Sequence, residues 1–367
     1  RSPSRGLGDV YKRQMYNMKN YIISSLLGLC VLCSSCNDEW KDELYTEMIS
    51  FKATPGSNGV HDIYMRYQPD GTGKFKLPVI VSGSQNNARD IDVKISVDND
   101  TINDLNIEKY SNRQDLWYHQ LPEKYYSFPT GNVCHIPSGK NTETYQIDFN
   151  LKGIDLNEKW ILPLSIDSDP LYVQNLWKGR NKALLHIHLF NDFSGEYAAN
   201  AMNIYLGDNN NDPATVSSRE LRVVDEKSVF FYAGTWWEED ENRDKYKVLV
   251  TFGEGISDEK GVVTGPVEIT AMDPDNPTHI KSYGNCYYRR SIENHPTEPF
   301  MEKHVTVIYL NYYYTDNTSD PLNPIRYRAT GSMAMQRTIN TLIPDEDLSL
   351  IHSLRGRRSH KCRSRWS

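Results

Sequence analysis

The sequence predicts an all-β chain of two domains, and three observations carry that expectation. Apolar and polar residues alternate with period two in segment after segment, the pattern of half-buried antiparallel strands. Turn clusters such as Pro69-Asp-Gly-Thr-Gly73, Ser84-Gln-Asn-Asn87 and Pro137-Ser-Gly-Lys140 separate those segments. No stretch of ten or more residues keeps the i, i+3, i+4 spacing of an amphipathic helix.

The alternation can be followed in chain order. Val93, Ile95 and Val97 alternate with Asp92, Lys94, Ser96 and Asp98; Tyr145, Ile147 and Phe149 alternate with Thr144, Gln146 and Asp148. Trp160 lies in a hydrophobic strand and reads as core. Leu185, Ile187 and Leu189 alternate with His186 and His188 in the last strand of a first domain, placed at 44–190. A second antiparallel β-domain, placed at 193–348, begins without a long linker. Its strands include 228–233, 246–252, 267–271, 304–314 and 327–336. About 300 residues outside the termini is also more than one core usually serves. Cys134 and Cys286 fall in different domains, so they read as buried thiols and not as a disulfide.

Both ends look foreign to the fold. Residues 1–14 precede a plausible initiator and resemble translated adapter sequence; residues 349–367 end in a basic run with no acid after position 352. Between them, Met18-Lys19 and an uncharged apolar run from Ile22 to Cys33 suit a secretory h-region, too short for the ~20 residues that span a bilayer. Cys30, Cys33 and Cys36 have iron–sulfur-like spacing. No fourth cysteine follows at the required distance, and no second Cys/His pair for zinc. Residues 15–35 resemble a bacterial lipoprotein signal, with Ser34 and Ser35 as the small residues before Cys36, the lipidated position. An ordinary cleaved signal is the alternative. Residues 36–43 then form a tether, and Asn37-Asp38-Glu39 resembles the acidic tag of lipoproteins displayed on the outer surface of gut Gram-negative bacteria.

The whole chain carries a net charge of −7; residues 36–352 hold 30 basic and 47 acidic residues, a net −17. That charge repels phosphate backbones and argues against a nucleic-acid partner.

Longer stretches bear a family resemblance. Tyr126-Ser-Phe-Pro, Val133-Cys-His-Ile-Pro-Ser-Gly-Lys140, Gly153-Ile-Asp-Leu and Trp160-Ile-Leu-Pro-Leu-Ser-Ile166 resemble a domain of unknown function in cell-surface lipoproteins. Such lipoproteins accompany starch-utilisation-type glycan uptake systems. Phe193-Ser-Gly-Glu-Tyr197 and the segment from Gly331 to Asp347 resemble the first and last strands of its companion C-terminal domain. The resemblance implies an immunoglobulin-like sandwich followed by a barrel-like or sandwich β-domain, and no catalytic residues.

Motifs for chemistry are sparse. Glu238-Glu-Asp-Glu241 and Asp345-Glu-Asp347 read as solvated loop charges. His186-x-His188 puts two imidazoles on one strand face, but no third ligand is identifiable, so no metal or cofactor is called. Asp208-Asn-Asn-Asn-Asp212 has a calcium-loop rhythm, yet Pro213 and Arg219 stand where an EF-hand needs Gly and Glu.

The aromatics are more telling, with 24 Tyr against 10 Phe. Tyr and Trp offer an apolar face with a polar handle, which suits the C–H faces and hydroxyl rims of sugars. The candidates are Trp236 and Trp237 at the mouth of a polar loop, Trp117 and Tyr118 in the first domain, and Tyr287, Tyr312 and Tyr314 on strands. The leading expectation is a non-catalytic, lipid-anchored outer-surface protein that captures oligosaccharide for an outer-membrane transporter complex. A structural or protein-interaction subunit of that complex is the alternative, and a glycoside hydrolase the third reading.

Overall fold

The structure, a computed structural model, describes residues 45–98, 100–207 and 212–342. The signal segment, Cys36, the tether, both foreign-looking ends and most of the Asp208–Asp212 loop lie outside the described residues.

The first domain contains β1 (Met48–Phe51), β2 (His61–Arg66), β3 (Thr72–Ser82), β4 (Ile91–Val97), helix α1 (Thr101–Tyr110), β5 (Tyr118–Gln120), β6 (Tyr126–Ser127), β7 (Val133–Ile136), β8 (Thr142–Asn150), β9 (Lys159–Ile166), β10 (Val173–Gln174) and β11 (Lys182–Phe190). One sheet runs β10-β1-β3-β8-β6; the other runs β2-β11-β9-β4-β7, with β5 beside β9. Their inner faces share one core: Phe75, Leu77, Val79, Tyr145 and Ile147 from the first sheet meet Ile63, Val93, Ile95, Leu162, Leu164 and Leu185 from the second. Alternation therefore does here what period two requires, sending every second residue inward.

The second sheet is covered on its outer face as well. Val60, Ile102, Tyr118, Ile161 and Leu184 form a smaller core under α1 and β5. Burial on both faces explains the near-continuous apolar run of β9. The ten-residue helix α1 departs from the sequence expectation, for a visible reason. Its inner face is completed by Asn106, not an apolar residue, while Ile107 is largely exposed. Asn106 donates from Nδ2 to the Tyr118 carbonyl (2.9 Å) and accepts the Tyr118 N–H (2.8 Å), so an amide takes the place of an apolar contact.

The second domain contains β12 (Gly195–Leu206), β13 (Ala214–Thr215), β14 (Ser218–Val223), β15 (Ser228–Tyr232), β16 (Lys247–Phe252), β17 (Ile256–Ser257), β18 (Val263–Ala271), β19 (Lys281–Ser282), β20 (Tyr287–Asn294), β21 (Met301–Asp316) and β22 (Ile325–Asn340). Eight of them pair in a closed antiparallel ring, β12-β14-β15-β16-β18-β20-β21-β22 and back to β12. Closure removes the free sheet edge. The barrel is filled by Val248, Val250, Ile308, Leu310 and a group of aromatics that includes Tyr246, Tyr312 and Tyr314.

The chain passes from sandwich to barrel through Asn191–Ser194, a segment held from both sides. Asn191 Oδ1 accepts the N–H groups of Phe193 (2.9 Å) and Ser194 (2.7 Å). Asp192 is bracketed by Arg66 of β2 (2.8 Å) and Arg290 of β20 (2.7 Å). Arg337 of β22 donates to the carbonyls of Asn191 and Ser194. Among the described residues no helix is long and apolar enough to cross a membrane.

Candidate functional site

A cleft of about 1070 Å³ opens between the two domains. Its size is at the upper end of small-ligand pockets. The sandwich contributes Tyr64 on β2, Lys159 on β9, and His186 and His188 on β11 from the outer face of its second sheet, with Tyr110 at the end of α1, and Trp160 from the inner face at the start of β9. Across from it, the barrel contributes Glu220 and Arg222 of β14, Glu238 from the Gly234–Arg243 loop, and Arg290, His304 and Arg337.

An ion-pair chain crosses the cleft. Glu238 takes Arg222 at 2.7 Å within the barrel and Lys159 at 2.9 Å from the sandwich. Burial alone would raise the Glu238 carboxyl, but the Arg222 charge and hydrogen bond, with Lys159, outweigh it and hold the pKa at about 2. This corrects the reading of Glu238 as a solvated loop charge: it is a half-buried bridge between domains. A carboxyl that titrates at about 2 when folded and at 4.5 when free stabilises the folded state at neutral pH. The increment is about 3 kcal/mol, lost as pH falls from about 4.5 through 2. Glu238→Gln should therefore lower stability at pH 7 and flatten the stability profile below pH 4.5 in urea melts. An unchanged acid limb would count against the bridge.

Beside the bridge lies a group of three that sequence reasoning missed. His186 and His188 do project from one face, and the third partner is Asp62, brought alongside because β2 pairs parallel to β11 with Asp62 opposite His186. His186 Nδ1 donates to Asp62 Oδ1 at 2.8 Å, and His188 Nε2 donates to the same oxygen at 2.9 Å. Burial lowers the His186 pKa to about 4 against the opposing pull of Asp62, so its imidazole is neutral at pH 7. Burial works against the Asp62 carboxylate too, but the two histidine hydrogen bonds hold its pKa far below the usual range. Tyr64 stacks on His188 (5.0 Å, 19°), and Tyr118 meets His186 edge-on (5.2 Å, 73°). These are not the free surface histidines that the alternation suggested.

The aromatic candidates separate cleanly. Tyr312 and Tyr314, two residues apart on β21, share its inward face and are buried in the barrel core. Neither offers a ring to a ligand, which corrects the expectation for both. Period two fixes that they share a face; only the register of β21 decides which face. Tyr287 lies outside the barrel, stacked on Tyr309 at 4.4 Å. Trp236 is half-buried, stacked on Tyr246 at 3.9 Å. Trp237 is 44% exposed, but the Arg219 guanidinium covers its ring at 4.3 Å. Trp117 is half-buried, and Tyr118 is buried, touching the cleft beside Lys109, whose Nζ donates to its hydroxyl (3.1 Å).

Of the seven, the cleft collects only Tyr118. It takes instead Tyr64, Tyr110 and Trp160, the last half-buried against the sandwich core as its strand position suggests, with its Nε1 donating to the Asp155 carbonyl at 2.7 Å.

Sandwich, closed barrel and interdomain cleft define a two-domain β protein of one architecture. A model for the domain of unknown function DUF4973 matches residues 40–170, and a second model, described only as a "-like, C-terminal" domain, matches residues 181–334. The chain is similar to a Bacteroides ovatus protein of unknown function, with 39% identity and a TM-score of 0.70 over 82% of this chain and 99% of that one. It is also similar to a Bacteroides ovatus multidomain protein including DUF1735, with 38% identity and a TM-score of 0.68 over 82% and 98%. An auxiliary nutrient binding protein of Bacteroides thetaiotaomicron is 29% identical, with a TM-score of 0.68 over 80% and 96%. No curated protein matches the sequence. The chain belongs to the family of two-domain Bacteroides proteins that these structures represent.

Proposed function

We propose that this protein is a non-catalytic, lipid-anchored outer-surface protein that binds oligosaccharide in the interdomain cleft as part of a glycan uptake system. The observation that carries the reading is the cleft itself, lined by tyrosine and tryptophan side chains on the sandwich side and by charged side chains on the barrel side. Sugars need that pairing, with flat apolar rings for their C–H faces and oriented donors and acceptors for their hydroxyls. The similarity to an auxiliary nutrient binding protein supports the same class of activity. A glycosidase acid needs a raised pKa. Glu238, held at about 2, and Asp62, also held far below the usual range, are therefore both ionised at neutral pH and neither serves as that acid.

Calorimetric titration against a broad oligosaccharide panel tests the proposal. Saturable binding is expected to at least one glycan, recovered unhydrolysed. Tyr64→Ala and Trp160→Ala should each weaken it by about 1–3 kcal/mol, the scale of base–aromatic stacking, whereas Trp237→Ala should leave it unchanged. No binding across the panel would leave the structural-subunit alternative in place. Cell-surface anchoring rests on Cys36 and its flanks. Cys36→Ser should move the protein from the membrane fraction to the soluble one; continued membrane association would overturn the anchor.

A further inference from the structure

Asp62, His186 and His188 form a compact group that oligosaccharide capture does not explain. One ligand-type atom from each lies within 4.8 Å of the other two. Both imidazole nitrogens converge on a single carboxylate oxygen, at 2.8 and 2.9 Å. Nitrogen and oxygen ligands sit ~2.0–2.2 Å from a zinc-sized ion. Neighbouring ligand atoms in such a shell are then roughly 3.0–3.5 Å apart, so each nitrogen–oxygen pair is within a few tenths of an ångström of that spacing. The rings are already oriented: the Tyr64 stack fixes His188 and the Tyr118 edge fixes His186. The second carboxylate oxygen has the Asn58 amide at 3.4 Å. The nearby positive charge of Lys159 is matched by Glu238 at 2.9 Å.

We propose that Asp62, His186 and His188 bind a divalent first-row transition ion whose remaining coordination positions face the interdomain cleft. Two imidazoles and one carboxylate favour zinc, cobalt or nickel over calcium and magnesium, which take shells of oxygen. Three protein ligands leave a position for water or a ligand oxygen, as in open zinc sites. On binding, each histidine moves its N–H proton to the other ring nitrogen, and the two hydrogen bonds to Asp62 become two N–metal bonds. His186 and His188 both reach the cleft, so the ion has a route in from solvent.

The test uses the full chain, stripped with chelator and titrated separately with Zn²⁺ by calorimetry and with Co²⁺ by visible absorption. One equivalent is expected whose cobalt complex shows d–d bands without thiolate charge transfer. That signature separates the site from any ion held by Cys30, Cys33 and Cys36, which would show the charge-transfer band. His188→Ala should weaken this equivalent on the order of 100-fold or more, beyond the loss caused by removing a second-shell partner. His188→Gln keeps a donor for Asp62 and serves if the alanine variant fails to fold by circular dichroism. Absence of the nitrogen–oxygen cobalt spectrum, or its persistence in either folded variant, would overturn the proposal. The readout needs no glycan, so it stands or falls apart from the capture reading.

Discussion

Tyr246→Ala should destabilise the barrel by about 3–5 kcal/mol, the range for removing a large buried aromatic. Tyr246 is fully buried, and its ring lies flat on Trp236 at 3.9 Å. Its hydroxyl donates to Asp316 Oδ1 at 2.7 Å and pairs with Thr318 Oγ1 at 2.8 Å. Asp316 is itself buried and anchors the turn after β21, accepting the N–H groups of Thr318 (2.9 Å) and Ser319 (3.0 Å). Alanine therefore removes the floor beneath Trp236 and takes a donor from a buried carboxylate. Tyr246→Phe keeps the ring and loses only the hydroxyl, which isolates the polar part at about 1–3 kcal/mol. Paired urea melts of the two variants measure both. A loss below about 1 kcal/mol for the alanine variant would mean that the barrel interior is not closely packed.

The same tyrosine shows how much of the molecule could be read from the sequence. Alternation identified β4, β8, β11 and β16 because each has one face on a core, and burial on one face is what period two records. Helix α1 escaped because Asn106 occupies a position where the pattern expects an apolar residue. The site was less legible still. Asp62 and His186 are 124 positions apart and meet through a parallel pairing that no local pattern encodes. Glu238 looked solvated because its partners, Arg222 and Lys159, come from a distant strand and the other domain. Tyr312 and Tyr314 were visible as a same-face pair, but their direction depends on barrel register. Local chemistry named the residue types that fill the cleft, and long-range pairing selected the residues.

Gly331→Ala should open the seam that closes the barrel, at a cost of about 3 kcal/mol or more. Gly331 sits mid-strand in β22 at φ +140°, a conformation that side-chain-bearing residues rarely adopt. It pairs with Met202 of β12, and the β12–β22 register shifts between Ala198 and Ala201, the mark of a β-bulge. A Cβ at Gly331 would stand 2.0 Å from the Ala201 carbonyl oxygen and 2.9 Å from its carbon. Both obstacles are backbone, so no side chain can swing aside; the two strands must separate where their hydrogen bonds close the ring. Backbone strain alone accounts for about 1–3 kcal/mol. Gly261→Ala sets a floor for that part, because Gly261 has open space around its Cβ position and a φ of +76°, near the left-handed region that other residues reach at less cost than +140°. The difference between the two variants in urea midpoint reads the cost of prising β12 from β22 together with the extra backbone strain at φ +140°. Equal losses would mean that the seam yields freely, and the bulge would then be slack in the ring instead of its closing joint.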